Sequence, residues 1–419
     1  MHLWLAAFTI VAFTLVSSTF AQAPEVELVG YAELPADTFA EGPASGEFTG
    51  AGGKEAAARF EGQPVQGFSG IQFGEDGSYW LLSDNGFGSK YNSIDYQLRI
   101  NNLTLEPKTS DGGEGTITLN NAIILSDPDK HIPFYIVNEF TPERILTGFD
   151  FDIESFVVAN DGTLWIGDEF GPFLLHVDAT GKVLEPPFST PDFAEGKNPE
   201  EDFVQSPQNP ALMANVPNPG EPSPATLKRS QGFEGMAMSP DKTKLYPMLE
   251  GTVVGDPEGT ARIYEFDVAT KAYTGIVGLY QFEDPANAIG DFAVINDSEF
   301  LVIERDGASG AEAKTKHVYK IALSQQDENG IVEKALVADL LQISDPNNLA
   351  PSTQEGVFSF PFVTIEDVLV LDANTILVAN DNNYPGTGGR GEELKDNNEF
   401  IWLRLATPLS LAEGVGQAQ

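Results

Sequence analysis

The chain is expected to be all-β and to fold as a β-propeller of six blades with long loop insertions. Three observations carry that expectation. One strand–turn–strand pattern recurs five times, its flanking runs alternate and favour Val, Ile, Leu, Trp and Phe, and no long amphipathic helix interrupts them.

Taken in order, the N-terminus has an apolar run from Leu3 to Val16, then Ser17, Ser18 and Thr19, then Ala21-Gln22-Ala23. This layout predicts a secretory signal cleaved after Ala23, leaving one domain over 24–419. "VELVGYAELP" is expected to pair beside the last strand, "EFIWLRLA", and so close the ring. Between them lie the five repeats: "FSGIQFGEDGSYWLLSDNG", "IESFVVANDGTLWIGDEFG", "FEGMAMSPDKTKLYPMLEG", "GDFAVINDSEFLVIERDG" and "IEDVLVLDANTILVANDNN". Each turns on hairpin chemistry such as Asp76-Gly77, Asp161-Gly162 or Asn296-Asp297. "GTITLNNAIIL", "LLHVDATGKVL", "ARIYEFDVATKAY" and "KHVYKIAL" read as outer strands. Residues 185–230 are rich in Pro, Asn and acids, and are expected to form a long loop, a candidate lid.

A hairpin returns its two ends to one place, and here both ends are polar or acidic. From opening residue to closing acid the separations are 15 (Ser69 to Asp84), 14 (Glu154 to Asp168), 16 (Glu234 to Glu250), 13 (Asp291 to Glu304) and 15 (Glu366 to Asp381). In a propeller, like ends of the blades point the same way, so these acids should meet on one rim of the central channel. Crowded like charges repel unless a cation sits among them.

Composition narrows the function. The 63 acidic residues against 23 basic ones leave a net charge of −40, which excludes a phosphate-backbone grip and therefore nucleic-acid binding. The same self-repulsion favours a monomer. Cysteine is absent, so disulfides, thiolate nucleophiles and zinc–cysteine sites are excluded. No stretch beyond the N-terminal one approaches the ~18 apolar residues of a spanning helix, so no stable membrane insertion is expected once the signal is removed. Ser69 in "GFSGIQ" lacks the spacing of a nucleophile elbow, and His131, His176 and His317 sit in no ligand or nucleophile pattern.

Three stretches carry a family resemblance: "LTGFDFDIESFVVANDGTLWIGDEFGPFLLHVDATGKVL", "SPQNPAL" and "GFEGMAMSPDKTKLYPMLEG". They resemble the phytase-like family, also labelled esterase-like activity of phytase, over about residues 27–405. The resemblance implies an exported propeller-type domain whose Glu and Asp residues carry phosphoester hydrolysis.

The residues support a matching chemistry. Ca²⁺ takes six to eight oxygen ligands, and an acidic rim can supply them. The expected metal ligands are Asp84, Asn85, Glu154, Asp168, Glu169, Glu234, Glu250, Asp291, Glu304, Glu366 and Asp381, with Asp306 and Asn382 beside them. Glu154, Glu169, Glu234 and Arg305 are the expected catalytic groups, and Arg305, Lys90 and Arg390 are the cations that a small phosphoester substrate would need. Two other readings remain open: a non-catalytic, Ca²⁺-pinned exported propeller that binds a partner or polymer, and a lactone or carboxylic-ester hydrolase on the same scaffold.

Overall fold

A computed structural model describes residues 25–50, 53–214, 224–386, 388–391 and 394–416. The expected signal segment lies outside the described residues. The architecture is a β-propeller of five blades, not six, because the segments without a repeat of their own extend existing blades instead of building another. "GTITLNNAIIL" shows how this happens. Its strand, Thr116–Ile124, is the outermost of blade 1, after Phe68–Phe73, Tyr79–Ser83 and Arg99–Glu106.

Blade 2 runs from Ile153–Val158 outward through Leu164–Asp168 and Phe173–Val177 to Phe188–Ser189. Blade 3 comprises Phe233–Met238, Lys244–Leu249, Thr260–Asp267 and Ala272–Gln281. Blade 4 comprises Ala288–Val294, Glu299–Arg305, Lys316–Gln326 and Val332–Asp339. Blade 5 takes Asp367–Asp372, Thr375–Ala379 and Asn398–Arg404 from the C-terminal part of the chain and Glu27–Leu34 from the N-terminal part. That last pairing is antiparallel, from Glu27 opposite Arg404 to Leu34 opposite Asn398, and it closes the ring as the sequence predicts.

Between the blades the core is apolar and continuous. Trp165, Phe233 and Phe266 fill the space between blades 2 and 3, while Phe68, Phe400 and Leu377 join blades 5 and 1. The first strand of each blade lines the axis. On the side of the hairpin turns these strands border an open cavity of about 630 Å³, lined by Ile71, Phe156, Met236, Phe292 and Val368 together with polar residues such as Lys242. At the opposite end of the axis the strands carry acids.

The segment expected to be a loop, residues 185–230, is partly structural. It provides the outer strand of blade 2, and Ser206 Oγ and Asn209 Nδ2 donate to the carbonyls of Phe170 and Gly171 at 2.6 and 2.9 Å. This stretch braces the turn that ends "LWIGDEFGP".

Candidate metal and active site

A local irregularity sets the rim. In blades 1 to 4 the pairing of the first two strands slips just after Phe68, Ile153, Phe233 and Ile289, the signature of a β-bulge. Aligning the blades on that pairing places Ser69, Glu154, Glu234, Gly290 and Glu366 at one equivalent position. The facing position holds Asp84, Glu169, Glu250, Arg305 and Asp381. The spacing between the two is 15 residues in four blades and 16 in blade 3.

This register sets three of the expected ligands apart from the cluster. Asp291 stands one residue past the rim, level with Gly235, and its carboxylate accepts from the backbone N–H of Phe292 and of Val368, both at 2.7 Å. Gly290 takes its place at the rim because no side chain fits there: a Cβ would lie 1.9 Å from the carbonyl oxygen of Ile365. Asp168 and Glu304 each fall one residue short. Asp168 accepts from the N–H groups of Asp152 (2.9 Å) and Gly171 (2.7 Å), and so shapes the turn. Burial pushes its carboxyl up to about 7 despite those two donors. Glu304 points away from the axis to Tyr280 Oη, Asn287 Nδ2 and Lys334 Nζ.

The remaining acids gather. Oxygens of Asp152, Glu154 and Glu169 lie within 4.8 Å of one another, and so do oxygens of Glu169, Glu234 and Glu250. Glu169 belongs to both groups. Burial, followed by the charges of neighbouring acids, holds the carboxyls of Glu154, Glu169 and Glu234 well above their ordinary range. Asp152 was not foreseen, although its signal was present: in "DFDIE", Asp152 and Glu154 alternate onto one side of the chain. Asp152 occupies the place that Gly67 and Gly232 hold in blades 1 and 3, since Asp84, Glu169 and Glu250 donate their N–H groups to the carbonyls of Gly67, Asp152 and Gly232 respectively.

Arg305 stands where the other four blades have an acid, and its guanidinium enters the cluster. Nη2 donates to Glu366 Oε1 at 2.7 Å and to Glu234 Oε1 and Glu250 Oε1 at 3.2 Å. Burial alone would lower its pKa, but those three carboxylates outweigh it and raise it. Nε of Arg305 is buried without a hydrogen-bond partner. Beyond Arg305, Ser69 Oγ donates to Glu366 Oε2 at 3.1 Å. Asp381 accepts from Asn383 N and Thr364 Oγ1, and Asp84 from Gly86 N.

Several other expected groups serve the scaffold. Asn85 donates to Asp152 Oδ1 at 2.7 Å, while its own amide oxygen accepts from Phe87 N and Ser93 Oγ. Asn382 ties Gly67 N to the carbonyl of Asp396. Asp306 pairs with Lys316 and accepts from the N–H groups of Lys314 and Thr315. Arg390 is held by Glu399 over the rings of Phe358 and Phe362, with no hydrogen bond or ion pair to the cluster. Lys90, by contrast, is buried beside it.

Fold and site together define a five-bladed propeller with a buried carboxylate cluster on its axis. The chain belongs to the family described as Phytase-like, esterase-like activity of phytase, whose model matches residues 63–384. A protein of Arthroderma benhamiae described as an uncharacterized secreted protein is 25% identical over 305 residues, 59% of each chain. This chain therefore spans 59% of the length of that relative. Solved structures with a similar chain path include an exo-β-1,3-galactanase from Phanerochaete chrysosporium (8% identity, TM-score 0.41, 81% of this chain and 61% of that one). A luciferin-regenerating enzyme (14%, 0.37, 94% and 96%) and the Dos1 propeller (10%, 0.32, 83% and 70%) are others. At these TM-scores the likenesses say nothing of function. Among the described residues no helix is long and apolar enough to cross a membrane.

Proposed function

We propose that the mature protein is an exported, monomeric, Ca²⁺-dependent hydrolase of small phosphoesters. One observation carries the reading: two buried groups of three carboxylates share Glu169, with one guanidinium set among them. The donor chemistry fits the ion, because all five side chains offer hard oxygen atoms and none is a nitrogen or sulfur ligand. Asp152, Glu154 and Glu169 would hold one ion, and Glu169, Glu234 and Glu250 a second. A bound Ca²⁺ offsets the charge of phosphoryl oxygens and makes a nearby water more acidic. The protein's own groups do the rest. Arg305 sets its guanidinium charge beside the place an oxyanion would take, and Glu250 and Glu366 hold it there. Glu234 touches both Arg305 and the second carboxylate group, and is assigned the proton-accepting role.

The test is turnover of phytate and p-nitrophenyl phosphate, with thermal melting, before and after EGTA, with Ca²⁺ or Mg²⁺ restored. Activity and melting temperature should both fall with EGTA and return with Ca²⁺, and Glu234→Ala should be folded but inactive. A melting shift without turnover on any phosphate or ester would leave the non-catalytic, cation-pinned propeller. No response to chelation would overturn the metal reading.

A further inference from the structure

Lys90 is a largely buried cation that rests on two aromatic rings instead of on a carboxylate. It lies on the rim loop that follows the second strand of blade 1 and is 3% exposed. Its Nζ sits 4.8 Å from the centre of the Phe149 ring and 4.5 Å from that of Phe170. Arg144, Arg262, Arg305 and Lys316, all buried, each have a carboxylate partner within 3.2 Å. Lys90 has no hydrogen bond and no ion pair among the described residues, although an ammonium carries three donors. Lys90 Nζ is not among the polar atoms sealed from solvent without a partner, so its donors remain within reach of an anion arriving from the rim.

Its position says what that anion is. Phe149 precedes Asp150 and Asp152, and Phe170 follows Asp168 and Glu169, so the two rings that clamp Nζ lie on the segments that carry the first carboxylate group. Asp168, Asp150 and Asp152 face it electrostatically but are committed elsewhere: Asp150 to the N–H groups of Val137 and Thr147, Asp152 to Asn85, and Asp168 to its turn. Resting on the cation-site reading above, we infer that Lys90 is an anion-binding residue that receives a phosphoryl oxygen of the substrate beside the Asp152–Glu154–Glu169 group. The two rings hold Nζ in place, and a charge-assisted hydrogen bond from an ammonium to a phosphoryl oxygen is stronger than a neutral one. Lys90 therefore fixes which end of a phosphoester enters.

The experiment titrates the chelator-stripped mature protein calorimetrically with Ca²⁺ and then titrates the Ca²⁺-loaded protein with inorganic phosphate, with acetate as the comparison anion. Lys90→Met keeps the apolar stem between the rings. Its Ca²⁺ affinity should stay within about threefold of wild type, its phosphate affinity should fall at least tenfold, and Lys90→Arg should recover part of the loss. The melting temperature separates a binding role from a structural one. An unpartnered ammonium replaced by Met leaves it equal or higher, whereas a counter-ion for Asp150, Asp152 and Asp168 would lower it. If Lys90→Met does not fold, Lys90→Gln takes its place. Unchanged phosphate binding in the variant, no phosphate binding by the wild type, a lowered melting temperature with phosphate binding intact, or acetate binding as well as phosphate would each overturn the inference. Failure of the wild type to bind Ca²⁺ would instead sink the cation reading on which it rests.

Discussion

Glu169 is the residue through which the two carboxylate groups meet, and it follows Asp168 directly in the sequence. Asp168 ends its strand and Glu169 opens the turn, and the two acids of "GDEFG" do different work: one holds the turn and the other enters the cluster. Glu169→Gln should therefore weaken Ca²⁺ at both groups, at least ~10-fold by calorimetry. Glu250→Gln should weaken only the second group and leave a tight first site. Proton linkage offers another check. Burial pushes Glu250 up to about 7 against the pull of Arg305, and burial with the charge of Glu366 brings Asp381 to about 7. Carboxyls whose folded pKa is raised favour the folded state when protonated, and that contribution is lost as pH rises from the ordinary carboxylate range through about 7. In EGTA the melting temperature should accordingly fall between pH 5 and pH 8. Bound Ca²⁺ needs the ionised forms, so the gap between Ca²⁺ and EGTA curves should widen over the same window. A constant gap would mean that Glu250 does not bind the ion.

The hairpin is the unit that places these groups, and its bulge decides which residue faces the axis. A one-residue slip moves every later side chain to the other face. This is why blade 4 departs from the others: "IGDF" puts Gly290, not Asp291, at the rim. Counting from the sequence gave Asp291 the wrong place because Asp291 and Glu366 look alike as acids opening a strand, and only the pairing of Ile289 with Glu304 reveals the offset. The close approach of Ile365 to Gly290 is backbone against backbone, so it cannot be relieved by a rotamer change. Gly290→Ala should destabilise the protein by at least about 2 kcal/mol, read as a lower denaturation midpoint at unchanged slope. A neutral result would show that blades 4 and 5 can separate at the rim.

Closure governs the molecule as a whole. The first four blades are built from consecutive segments, but the fifth needs Glu27–Leu34 to cover the edge of Asn398–Arg404. Removing residues 24–34 should expose that edge, lower the melting temperature and promote association visible by size-exclusion chromatography. A truncated chain that melts like the full one would show that the ring does not depend on this strand.

Much of this was legible in the residues alone. Alternation and turn chemistry are local, and they were enough to locate the five hairpins, the outer strands and the closing pair, as well as an acidic end to every blade but the fourth, whose rim holds Gly290 and Arg305. Blade count was not local: Thr116–Ile124 reads as a strand in either scheme, and only its pairing with Arg99–Glu106 assigns it to blade 1. The partition of the acids was also out of reach. Asp152, Glu169 and Glu250 converge while Asp168, Asp291 and Glu304 turn to the scaffold, because bulges and blade-to-blade contacts set side-chain direction. Those contacts join residues far apart in the chain, such as Arg305 with Glu234 and Glu366, and apart from the alternation of Asp152 with Glu154 nothing local marks which acids will meet.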